Sequence, residues 1–108
     1  MTAQEFRNLA LSFDGTIEKP HFERTAFKVI NKRIFATLLE EKASANIVLP
    51  IKDQGVFCAI DKEIYPVPNK WGTHGWTTFE LKNLSSEIVL DALETAYKDV
   101  IIPKARKK

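Results

Sequence analysis

An α+β fold, a two-layer sandwich in which N- and C-terminal helices cover one face of an antiparallel sheet, is what this 108-residue sequence predicts. Three observations predict it. A capped apolar stripe of helical period opens the chain, and a second such stripe nearly closes it. Between them lie short runs rich in β-branched and aromatic residues, which alternate between apolar and polar and are divided by turn-forming residues.

The first helix is announced by Thr2-Ala3-Gln4-Glu5, a capping box in which the threonine hydroxyl and the glutamate carboxylate each satisfy a free backbone amide. Phe6, Leu9, Ala10 and Phe13 then recur at helical spacing and Asp14-Gly15 supplies a stop, so the helix is expected over 3–13. Pro20 excludes a helix through Lys19-Pro20-His21. Strands are expected over 25–30, 33–39 and 45–49, joined by a hairpin turn at Asn31-Lys32 and a polar turn over 40–44, which makes an antiparallel meander.

Pro50 suits the first turn of a short helix over 52–59, although Gly55 in its interior weakens it by ~1 kcal/mol relative to alanine. The segment 61–70, with Pro66 and Pro68, reads as an extended loop leading to Trp71-Gly72-Thr73-His74-Gly75-Trp76. In the strand that follows, Thr77, Phe79 and Leu81 share one face and Trp76, Thr78 and Glu80 the other. Phe79 and Leu81 are expected to face the helices. Trp76 then lies on the opposite face, joined by Phe35 or Val48 according to register. Ser85 caps a long final helix whose stripe is Ile88, Ala92, Leu93, Ala96, Tyr97 and Val100, with Pro103 near its end.

Length and composition describe one domain over 1–103 followed by a basic tail over 104–108. The net charge of +2 comes from that tail, because Lys104, Arg106, Lys107 and Lys108 outweigh a slightly acidic body. Cys58 is the single cysteine, so an intrachain disulfide is excluded. The first residues form no signal sequence and no run approaches a membrane span, so a cytoplasmic protein, monomeric by default and without membrane contact, is expected.

The order of landmarks resembles the MmcQ/YjbR family over nearly the whole chain. The matching residues are Pro20-His21-Phe22, Phe27-Lys28-Val29, Lys32-Arg33-Ile34-Phe35-Ala36, Leu49-Pro50 leading to Gln54, the stretch from Trp71 to Thr77, and Ala96-Tyr97-Lys98 ahead of Pro103-Lys104. The resemblance implies a CyaY-like, frataxin-like sandwich and a small bacterial cytoplasmic protein that binds DNA through a double-wing arrangement. It brings no catalytic residues with it. A frataxin-like fold also raises iron, but Glu5 is the only acid of the first helix and no ridge of oxygen ligands follows it.

Within the body of the chain, Lys19, Arg24, Lys28, Lys32 and Arg33 crowd around the predicted hairpin with only Glu23 opposing them, and His21, Phe22, Phe27 and Phe35 are interleaved. Such cations neutralise phosphates and release counterions. The alternative is a solvated strand face whose aromatic side chains point inward. Trp71, His74 and Trp76 are candidates for stacking or for contact with a protein partner, against the plainer role of indoles capping a core. A module that binds a protein or a small ligand through the second sheet face and the Trp71–Trp76 loop is thus the competing reading. The spacings of His21, Cys58 and His74 match no zinc motif, and neither histidine has a partner pattern for hydrolysis, so neither a metal, a cofactor nor catalysis is expected.

Overall fold

The computed structural model describes residues 1–102, so the basic tail expected at 104–108 lies outside the described residues. Helix α1 spans Ala3–Leu11 with the capping box in place: the Thr2 hydroxyl accepts from the Glu5 amide at 3.1 Å and the Glu5 carboxylate accepts from the Thr2 amide at 2.8 Å. The helix ends two residues before Phe13, where the Ser12 amide donates to Leu9 instead of continuing the ladder. Phe13 is thereby released to pack on Tyr97, 4.8 Å between ring centres.

The sheet has six strands: β1 (Thr16–His21), β2 (Arg24–Val29), β3 (Ile34–Leu39), β4 (Ser44–Val48), β5 (Ile64–Pro66) and β6 (Trp76–Glu80). Their spatial order is β1-β2-β3-β4-β6-β5, with every neighbouring pair antiparallel. Two of these strands are not legible as strands in the sequence. Both lie at sheet edges, where one side of the backbone has no partner to satisfy and a proline is tolerated, so Pro20 sits inside β1 and Pro66 ends β5. Asn31 turns the β2–β3 hairpin with φ 66°, a conformation asparagine adopts more readily than most residues.

Helices α1, α2 (Ile51–Ile60) and α3 (Ser86–Ile101, capped by Ser85) all pack on one face of this sheet. Phe6 of α1 meets Phe27 edge-on at 5.9 Å, and Phe57 of α2 meets Phe79 at 6.2 Å. Phe6, Phe27, Leu38, Ile47, Phe79 and Leu93 are completely buried between the layers. The α+β sandwich expected from the sequence is therefore the fold.

One expectation about the sheet resolves through a bulge. The β2–β3 register runs from Phe27 opposite Ala36 to Lys28 opposite Ile34, so Phe35 is an additional residue on β3. The irregularity turns Phe35 into the helical layer, 6.0 Å from the ring of Tyr97. Phe35 therefore does not join Trp76 on the other face. Val48 does, as its register partner.

Candidate functional site

With α1, α2 and α3 on one side, no helical layer covers the second face of the sheet, although Ala26, Thr37 and Thr78 on it are buried, and strand alternation dictates what it displays. Direct register partners share a face, which aligns Lys19, Ala26, Thr37, Asn46, Thr78 and Tyr65 in one row across the sheet. His21 and Arg24 flank that row on one side, and Ile17, Lys28, Ile34, Val48 and Trp76 on the other. A concavity of about 420 Å³ opens on this face between the β1–β2 hairpin and the loop that carries Trp71. His21, Arg24, Ile34, Thr37, Asn46 and Trp76 line it from the strands. Val67, Asn69 and Trp71 line it from the loop.

The loop is held in place from the helical side. The side-chain amide of Gln54, buried on α2, donates to the Gly72 carbonyl at 3.0 Å, the Thr77 hydroxyl at 3.1 Å and the Trp76 carbonyl at 3.3 Å. A Cβ at Gly72 would sit 2.1 Å from the Val67 carbonyl oxygen, so only glycine permits that approach. Gly75 has φ 101° and an equally close neighbour in the Leu49 carbonyl oxygen. The two glycines that mark this stretch in the sequence therefore fix where Trp71 and Trp76 stand. Trp76 is partly buried, while Trp71 is 54% exposed at the rim with His74 edge-on to it.

Arg24 is the charged group of the cleft. Its Nε donates to the Thr37 hydroxyl at 2.9 Å, while Nη2 is buried and has no hydrogen-bond partner among the described residues. Burial pulls the pKa of this guanidinium down, with Glu23 acting against that, yet arginine keeps its proton in proteins. A fixed positive charge thus lines the same concavity as two indoles. Asn46 accepts from the Thr78 hydroxyl at 2.9 Å and Asn69 accepts from the Trp71 amide at 2.9 Å. Each carboxamide uses its oxygen in this way and keeps its NH₂ as a donor.

The structure separates the residues singled out in the sequence. Lys19, Arg24 and Lys28 lie on the uncovered face, and none of them is in an ion pair among the described residues. Glu18, next to Lys19 on β1, points to the helical side, where it accepts from Arg7 at 2.8 Å and its pKa falls as a result. Lys32 is exposed in the β2–β3 turn, and Arg33 pairs with Asp99 of α3 at 3.1 Å. Phe27 and Phe35 are buried, whereas Phe22 is 90% exposed at the tip of the β1–β2 hairpin with φ 60°. Thr37, Asn46 and Asn69 were not singled out in the sequence. The signal that could have found Asn46 is its place in β4, a polar residue between Ala45 and Ile47, which both face the core.

Among the described residues no group of three or more His, Cys, Asp or Glu side chains could hold a metal ion, and no helix is long and apolar enough to cross a membrane. What fold and face define together is an α+β sandwich with an uncovered, cation-bearing sheet surface. No family model matches the sequence and no curated protein does. Among solved structures, the chain is similar to Deinococcus radiodurans protein DR2400, a DUF419 domain, with a TM-score of 0.71 and 21% identity over 89% of this chain and 75% of that one. The likeness is one of fold, and DUF419 is related to the MmcQ/YjbR fold.

Proposed function

We propose that this protein is a nucleic-acid-binding module of the MmcQ/YjbR type, without catalytic activity, which holds DNA phosphates against the β1–β2 side of the uncovered face. The observation that carries the reading is the sorting of charge by strand alternation. Lys19, Arg24 and Lys28 share the face while Glu18 is turned away and neutralised by Arg7. A surface whose Lys19, Arg24 and Lys28 form no ion pair among the described residues, with Glu23 the acid that acts on Arg24, releases counterions when it meets phosphates, which supplies affinity without base contacts. Phe22, exposed at the hairpin tip, is placed as an apolar wedge against bases, a use that DNA-bending proteins make of such side chains.

The test is titration of a short labelled duplex by anisotropy at low and moderate salt. Lys19→Glu with Lys28→Glu is expected to weaken binding by roughly 100-fold at low salt and to reduce the salt slope by about 2, one unit for each lost phosphate contact. Arg33→Glu, at a residue already engaged by Asp99, should weaken binding by less than about tenfold. A wild-type protein without salt-dependent duplex binding, or a double variant that binds as well as wild type, would remove the proposal.

A further inference from the structure

We infer that the cleft between the β1–β2 hairpin and the Trp71–Trp76 loop is a binding site for a single nucleotide, a planar, acceptor-rich ring carrying an anionic group. The polar groups of the cleft are mainly donors, with His21 and Thr37 on its wall able to accept as well. Arg24 lines the cleft and its one side-chain hydrogen bond among the described residues is from Nε to Thr37, and the carboxamides of Asn46 and Asn69 have committed their oxygens and retain their N–H groups. These groups donate. A ligand rich in carbonyl oxygens, ring nitrogens and phosphate oxygens complements them, whereas an amine or other cation meets no acceptor from them and is opposed by the guanidinium.

The remaining walls select for a flat apolar ring. Trp71 and Trp76 present indole surface, and Ile34 and Val67 complete an apolar lining. Stacking of a base on such side chains is tolerant of base identity. The volume of about 420 Å³ is that of a site for one small molecule. A duplex base pair does not enter such a space, because its Watson–Crick edges are already hydrogen-bonded and its faces already stacked. The occupant is therefore a free mononucleotide or an unpaired nucleotide of a strand, with its phosphate at Arg24 and its ring against the indoles. The inference shares a sheet face with the proposed duplex binding but does not depend on Lys19 or Lys28.

The experiment uses the full chain labelled with ¹⁵N, titrated with each mononucleotide and separately with a short single strand. The indole N–H signals of Trp71 and Trp76 and the Arg24 Nε–H signal are followed. Saturable shifts of both indole signals are expected, and Trp71→Ala and Arg24→Gln should each raise Kd by about tenfold or more. Trp71 is exposed, so its variant carries the test if Arg24→Gln does not fold. Shifts with the strand but not with mononucleotides would support the site and assign its ligand to a polymer. Lys19→Gln with Lys28→Gln should raise the mononucleotide Kd by less than Arg24→Gln does while it lowers the salt slope of duplex binding by about 2, which separates this site from the duplex reading. The inference is overturned if neither ligand gives a saturable shift, or if the Trp71 and Arg24 variants that fold bind like wild type.

Discussion

Gly75→Ala is expected to destabilise the protein by at least about 3 kcal/mol, a large share of the roughly 5–15 kcal/mol that keeps a domain folded. Two separate effects add at this position. The backbone is at φ 101°, where an L side chain is strained, and the new Cβ would lie 2.0 Å from the carbonyl oxygen of Leu49. Relief by local movement is blocked on both sides, because the Gly75 carbonyl accepts from the Leu49 amide at 2.9 Å and the Gly75 amide donates to Gly72 at 3.1 Å. Moving the loop away would break the contact that aligns β6 beside β4.

Gly55→Ala is the control for the same change of residue. Its Cβ meets nothing within 4 Å on α2, and alanine in a helix interior is favoured over glycine by about 0.5–1 kcal/mol, so this variant should be stabilised. Urea unfolding of the two variants against wild type checks both signs. A Gly75→Ala protein within about 1 kcal/mol of wild type would show that the loop can move without loss and that glycine is not required there.

How much of this was legible in the sequence follows from where each signal is written. Helices α1 and α3 declare themselves because capping and apolar spacing are local properties, visible within a few residues. Strands β2, β3, β4 and β6 are legible because their core-facing residues are apolar and alternate. Strand β1 is not, because its residues from Ile17 onward are all exposed and apolar alternation has no reason to appear. The cleft is legible only in part. Arg24 and the tryptophans attract notice by type, and Asn46 by its place between two core residues, but that Thr37 and Asn46 are neighbours follows only from the cross-strand register, which no local pattern encodes. The bulge at Phe35 belongs to the same class, since which residue is additional depends on two strands at once.

Gln54 shows the same limit and gives the second large effect. In the sequence it is one polar residue on a short helix; in the fold it is the tie between the helical layer and the loop that shapes the cleft. Gln54→Leu keeps the approximate volume and removes the donors, and should cost about 2–3 kcal/mol. The figure is bounded because two of the acceptors keep other partners: the Gly72 carbonyl still receives the Gly75 amide and the Trp76 carbonyl still receives the Val67 amide. The Thr77 hydroxyl still donates to the Gly75 carbonyl but loses the donor it accepts from.

A pH series on Gln54→Glu separates this role from simple packing. A protonated glutamic acid retains one O–H to donate to these acceptors, whereas the carboxylate is repelled by them and is buried, so the folded state raises the pKa of this group. With the folded pKa above the unfolded value near 4.3, the folded state binds the proton more tightly. The variant should be closest to wild type below about pH 4 and lose stability as pH rises through the folded pKa. Gln54→Leu, with nothing to titrate there, should track wild type across the same range at a constant deficit. If the stability of the glutamate variant instead runs parallel to wild type with pH, the side chain has swung out to solvent, and the donor contacts to Gly72, Trp76 and Thr77 are not what holds the loop.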